Sequence, residues 1–305
     1  MNNLDKPINP DDISDSGPIQ KSNVAKDDFG LEIPVESVPL PSRGLIYPVD
    51  SPLHGQETLD IRPMTAREED ILTSRAYIKN GTVISKLIDS CLVDKRINSD
   101  DLISGDRTAL MVALRITGYG ADYSTDVTCP ACGTTGSYEF DLSQLPIKRL
   151  EVEPVESGEN LFEVVLPVTK KSVRVKFLTG HDESEMLLIN ERKKKKGMNT
   201  DSGVTDRLTR VIQSVDGITD KNKIAFFVRN LPVRDSLALR RFLDTQEPSV
   251  EMKGHMRCNS CFEESEVDLP IGASFFWPDA WSKRIIDWVF ICASKALRIE
   301  LLWCI

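Results

Sequence analysis

Histidine is scarce, with 3 residues in 305. His54, His181 and His255 lie in separate segments, at no spacing that a nucleophile–base pair or a histidine metal site would use. No nucleophile elbow, P-loop or zinc-protease helix motif is present. The glycines around Tyr119 are too closely spaced for a phosphate loop and follow a helical pattern instead of preceding one. The acidic groups Glu68-Glu69-Asp70 and Asp182-Glu183 fit the first turns of helices, where the dipole favours negative charge. Neither an enzyme nor a small-molecule substrate is expected.

Long apolar runs are also missing. The nearest is Ile285 to Ile305, and Asp287, Lys295, Arg298 and Glu300 interrupt it, so no membrane span is predicted. Met1 leads into Asn, Asp, Pro and Ser, not a basic and then apolar leader. Basic charge is in deficit, with 38 Lys and Arg against 47 Asp and Glu, net -9. A general nucleic-acid coat needs clustered cations, so nucleic acid is not the expected partner. What is present is globular: 40% hydrophobic and 28% charged residues, enough chain for about two domains.

Residues 1–33 are polar and rich in Asp, Asn, Pro and Ser, which predicts a flexible, disordered arm. A proline-rich strap follows over 34–54. Pro39, Pro41 and Pro48 forbid a helix interior there. It reads as a rigid surface strap or as a peptide that docks on a neighbouring subunit. Glu57 to Arg62 alternates like a strand. Thr65 then caps a helix through Leu72, with Glu68 placed to complete a capping box. Val83 to Leu92 and Asp106 to Ile116 form two more helical patterns.

The order of elements then repeats. Val173 to Leu187 echoes Leu59 to Leu72, and Arg234 to Arg240 echoes Asp106 to Arg115. Thr65 to Thr179 is a step of 114 residues, and Ser90 to Ser214 is a step of 124. Asp106 to Asp235, Cys129 to Cys258 and Cys132 to Cys261 are each a step of 129. The steps grow as two insertions in the second copy require. One insertion is the basic run Arg192 to Gly197, expected as a solvated loop between helices. The other precedes Arg234. The expected fold class is α+β and internally duplicated, with repeats at 55–147 and 161–271.

Seven cysteines include two Cys-x-x-Cys pairs, Cys129/Cys132 and Cys258/Cys261. An alternating strand precedes each pair and another follows it. Two such hairpins supply four thiolates, the ligand set of a closed structural zinc site. Alternatives are reduced or redox-active thiol pairs, or disulfides. A redox pair usually sits in a thioredoxin-like βαβ setting, which these flanks do not offer. Cys91, Cys292 and Cys304 fit apolar faces. Beyond Pro278, Trp281, Ile285, Trp288, Cys292, Ala296, Ile299 and Trp303 form one stripe, which predicts an amphipathic helix over 279–305. That stripe suits protein docking, internal packing or a membrane surface.

Several segments together resemble one family, the baseplate hub subunits or hub assembly proteins of T-even-type contractile-tailed phages. They are Leu40-Pro41-Ser42-Arg43-Gly44-Leu45-Ile46-Tyr47-Pro48, Ile61 to Leu72, Gly105 to Leu110, Arg115 to Gly120, the first cysteine pair and Phe275-Phe276-Trp277-Pro278. The likeness runs over about residues 38 to 278. It implies a structural component or assembly factor of the central baseplate hub. The partners would be other hub and tail proteins. The location would be the virion tail, or the host bacterial cytoplasm during assembly. A competing expectation is a zinc-ribbon regulator that binds nucleic acid through the lysine run, and a third is a thiol oxidoreductase.

Overall fold

The computed structural model describes residues 24–26, 32–195, 197, 203–271 and 273–276. Of the arm expected over 1–33, only a short antiparallel pair falls inside this range, β1 (Val24–Lys26) with β2 (Glu32–Pro34). The helix expected over 279–305 lies outside the described residues.

The first half opens with β3 (Glu36–Pro39) paired antiparallel to β4 (Thr58–Ile61). Helices α1 (Ala66–Thr73), α2 (Arg75–Asn80), α3 (Val83–Cys91) and α4 (Ser104–Tyr119) follow. The hairpin β5 (Asp122–Thr128) and β6 (Thr135–Asp141) comes next, and then β7 (Ile147–Lys148). The second half has β8 (Phe162–Val165) and β9 (Ser172–Val175), then α5 (Gly180–Lys195) and α6 (Gly203–Val211). Strand β10 (Ile212–Val215) joins β9, making a three-stranded antiparallel sheet in the order β10-β9-β8. Helices α7 (Lys221–Arg229) and α8 (Val233–Gln246), β11 (Ser249–Val250), and the hairpin β12 (Lys253–Arg257) with β13 (Glu264–Asp268) complete it. The class is mixed α and β, with eight helices and small antiparallel sheets among the described residues.

Similar polar contacts occur in the two halves. Glu68 is fully buried at the start of α1. Its carboxylate accepts the Thr65 amide at 2.9 Å, the Thr65 hydroxyl at 2.6 Å, the Ser90 hydroxyl at 2.6 Å and a two-pronged Arg62 guanidinium at 2.7 and 3.1 Å. Burial opposes its charge, but these donors hold Glu68 well below the usual carboxylate range. In the second half Asp182 accepts the Thr179 amide at 3.1 Å and Lys176 at 2.7 Å. The Arg62 amide donates to the Cys91 carbonyl at 2.9 Å, as the Lys176 amide does to Val211 at 3.0 Å.

A second such contact fixes the last helix of each half, α4 and α8. Asp106, in the first turn of α4, accepts the Ser42 amide at 3.0 Å, the Ser42 hydroxyl at 2.5 Å and the Tyr47 hydroxyl at 2.6 Å. Asp235, in the first turn of α8, accepts the Val168 and Thr169 amides at 2.7 and 3.0 Å. Each carboxylate ties the β3–β4 or β8–β9 connection to a helix N-terminus, where the dipole favours an anion. Burial outweighs the donors at Asp106 and pushes it up; at Asp235 burial opposes the charge, but the two amides hold it low.

The strap packs largely inward, and only Leu45 and Val49 among its large apolar residues stay exposed. It is the long connection between β3 and β4, and Leu40, Ile46, Tyr47 and Leu53 are buried in this chain's own core. The hydrogen bonds to Asp106 fold it back over α4. The lysine run also differs from expectation. Arg192 to Lys195 continue α5 and do not form a loop, because Glu, Arg and Lys are strong helix formers. Gly197 takes a positive φ of 63° just beyond.

The halves share one hydrophobic core, from Leu40, Ile61 and Leu110 through Phe162, Leu239 and Leu269 to Phe275. Strand β7 pairs with β11 across them, Ile147 opposite Val250. The Ser104 amide donates to the Leu178 carbonyl at 2.8 Å, and Gly180 returns to Leu102 at 3.0 Å. Arg115 is fully buried and donates to the carbonyls of Gly120, Asp122 and Phe275 at 2.6, 2.8 and 2.9 Å. Phe275 meets Tyr123 edge-on at 5.3 Å.

Two predictions follow from this packing. A Cβ on Gly105 would lie 1.7 Å from the Pro248 carbonyl oxygen. Gly105→Ala should cost about 1–3 kcal/mol, read by denaturant unfolding. Glu68→Gln should cost about 3 kcal/mol at neutral pH, since it leaves Arg62 unpaired. The folded-state pKa of Glu68 is depressed, so its contribution is full above the ordinary glutamate pKa of about 4.3. It is lost as pH falls through the depressed value, so the wild-type advantage should shrink in acid.

Candidate metal centre

Each cysteine pair sits on the turn of a hairpin whose strands set its position. Strands β5 and β6 end at the Thr128–Thr135 pair, and β12 and β13 end at Arg257–Glu264. The intervening turns share one backbone pattern. The Cys129 amide donates to Thr134 and the Gly133 amide back to Cys129, both at 2.9 Å. The Cys258 amide donates to Glu263 and the Phe262 amide back to Cys258, also both at 2.9 Å. The curl needs a left-handed residue after the second cysteine. Gly133 supplies it with φ 72°, where glycine carries no Cβ penalty. The second turn puts Phe262 in that position with φ 61°, a conformation costly for a bulky L-residue.

The two turns face each other. Cys129 Sγ lies 3.8 Å from Cys261 Sγ, and Cys132 Sγ lies 3.6 Å from Cys258 Sγ. All four sulfurs fall within 4.8 Å of one another. Cys129 and Cys258 are buried, while Cys132 and Cys261 are exposed. A disulfide would bring its two sulfurs to about 2.05 Å, so the spacing is that of separate sulfurs. Around one zinc, four sulfurs at about 2.3 Å from the metal stand about 3.8 Å apart. The observed separations fit such a set, and four thiolates with no open position fit a structural ion better than a catalytic one.

Local donors prepare the sulfurs for charge. The amides of Cys261 and Ser260 pull the Cys258 thiol down to about 6, and the Ser260 amide lies 3.4 Å from its sulfur. The Thr134 hydroxyl and amide lower Cys132. Cys261 is pushed up to about 12: the Glu263 amide favours its thiolate, but desolvation and the other three thiols outweigh it. Sulfurs this close need a cation if all are to be anionic.

Side chains around the turns lock the hairpins together. The Asn259 amide donates to the Tyr138 hydroxyl at 3.2 Å, from one hairpin to the other. Gly254 approaches the Phe140 ring so closely that a Cβ would lie 2.4 Å from it. Neither contact has a sequence signature beyond strand alternation. Cys91 is buried on α3, away from this cluster, and its thiol is pushed up to about 12 by burial. Cys292 and Cys304 lie outside the described residues. His181 pairs with Asp101 at 3.1 Å, and His255 lies on β12 opposite Glu266.

Among the described residues, no helix is long and apolar enough to cross a membrane. A family model described as T4 bacteriophage base plate protein matches residues 46–277, a span that takes in the eight helices among the described residues and both cysteine pairs. No curated protein and no solved structure matches the chain.

Phe262→Gly tests the strained turn. The substitution removes a left-handed penalty of about 1–2 kcal/mol and gives up the Arg257 guanidinium stacked 5.9 Å from the ring. A net gain of about 1 kcal/mol in unfolding free energy is expected, because the ring is exposed and the stack is worth about 0.5 kcal/mol.

Proposed function

The chain belongs to the T4 bacteriophage base plate protein family, and on that premise we propose that it is a structural component or assembly factor of the central baseplate hub. It works by association with other tail and baseplate proteins and not by catalysis. The observation that carries this reading is the family match over residues 46–277. Its place of action is the virion tail, reached through assembly in the host bacterial cytoplasm.

One structural zinc, held by Cys129, Cys132, Cys258 and Cys261, is the proposed cofactor. The ion would supply the positive charge that four close sulfurs require and tie the two hairpins into one unit. The body is proposed to be an internal duplication. The Thr65/Glu68 and Thr179/Asp182 pairs, the Asp106 and Asp235 clamps and the two cysteine turns support it. On that reading the first copy starts earlier than residue 55. The β3–β4 pair matches β8–β9 in order and pairing, Val38 opposite Leu59 and Val164 opposite Val173, so the strap is an insertion within the first copy. A subunit held rigid by duplication and a metal presents fixed surfaces to its neighbours, which lowers the ordering cost of assembly.

The test is a phage carrying an early stop codon in this gene. Electron microscopy of lysates should show heads but no complete baseplates, with assembly restored when the chain is supplied from a plasmid. Mass spectrometry of purified wild-type tails then divides the two roles: presence marks a component, and absence marks an assembly factor. Normal baseplates without the chain would contradict the reading.

A further inference from the structure

A cleft of about 410 Å³ opens between α5, α6 and α7. Met186, Ile189, Ile212 and Ile224 give it an apolar lining. Its walls include the middle of α5 and the helix α7, and α7 is a stretch in which the second half is longer than the first. Where α7 stands, the first half has only a short turn over Ser99–Asp101. This comparison of halves rests on the proposed duplication, but the cleft itself does not.

The cleft also lies in a basic stretch of an acidic chain. From Met186 to Arg241, Lys and Arg outnumber Asp and Glu by more than two to one, although the whole chain carries -9. Some of these cations are spent. Lys176 pairs with Asp182 at 2.7 Å, and Arg210 pairs with Glu185. Lys221 and Arg229 line the cleft from one stripe of α7 and make no ion pair among the described residues. Phe226, on the same helix, is 71% exposed. An apolar lining with unspent cations suits a polypeptide that carries carboxylates beside apolar side chains. Nucleic acid fits less well, because the lining side chains named above are aliphatic and offer no stacking face.

The chain holds such a segment outside the described residues. In residues 1–23, Ile13 is flanked by Asp11, Asp12 and Asp15. The other long segment, 279–305, carries four basic residues against three acidic ones, whereas 1–23 carries four acidic against two basic, so 1–23 is the better match for Lys221 and Arg229. Reach is sufficient. Twenty-three extended residues span about 75 Å, against about 50 Å across a globule of this length. We propose that residues 1–23 dock in the α5–α6–α7 cleft of their own chain, with Ile13 against the apolar lining and its neighbouring aspartates facing Lys221 and Arg229.

A fluorescein-labelled peptide of residues 1–23 tests this against a chain that begins at Val24. The peptide should bind the shortened chain and lose affinity as salt is raised. Full-length chain should bind it at least about tenfold more weakly, because its own arm competes at a high effective concentration. Lys221→Glu with Arg229→Glu should weaken binding to the shortened chain at least about tenfold, and both side chains are exposed, so folding should survive. No binding to the shortened chain overturns the proposal. So does undiminished binding to the charge-reversed variant, or equal binding to the full-length chain, which would put the arm on another surface or another copy. Displacement of the peptide by one of residues 279–305 would assign the cleft to that segment instead.

Discussion

Four sulfurs within 4.8 Å of one another cannot all carry charge unless a cation sits among them. Each hairpin brings only two of them, so neither half of the chain holds a complete site. The consequences reach beyond the turns. Strands β5–β6 and β12–β13 must meet at a fixed angle for the sulfurs to converge. Gly254 on Phe140 and the Asn259 amide on Tyr138 lie along that same meeting line. Tyr123 and Phe275 pack at the base of the first hairpin, where Arg115 gathers three carbonyls that end the helix, begin the strand and close the second half.

A second constraint works inside each half. Asp106 and Asp235 each place a carboxylate in the first turn of a long helix and gather backbone amides from a strand connection. Burying a carboxylate is expensive unless it is fully hydrogen-bonded. The two sites answer that demand differently, and only at Asp235 do the donors outweigh burial. Asp106 uses an amide and two hydroxyls, and Asp235 uses two amides. The long first connection brings Ser42 and Tyr47 to Asp106, which accounts for the burial of Leu40, Pro41, Ile46 and Tyr47 beside them.

Much of this was legible in the sequence, and the failures are instructive. The Thr65–Glu68 cap, three helices of the first half and both cysteine hairpins follow from spacing and alternation. The basic run was misread because charge was taken as a loop signal, whereas straight-chain charged residues propagate a helix. The strap was misread because proline excludes helix but says nothing about burial. Helix α7 was missed because the second half was read by its echo of the first, which holds only the short turn Ser99–Asp101 at that place. Phe262 was invisible: nothing in its identity announces a left-handed backbone, and only the match to Gly133 points to it. Pairwise partners such as Asp106 with Ser42 depend on chain path, which periodicity does not encode.

The most direct test is metal content per chain, on protein purified under reducing conditions without chelator, set beside Cys258→Ser. The account predicts one zinc per wild-type chain, and in the mutant loss of the metal together with loss of cooperative unfolding. A folded wild-type chain without metal, with all four thiols of the two turns freely reactive, would contradict it.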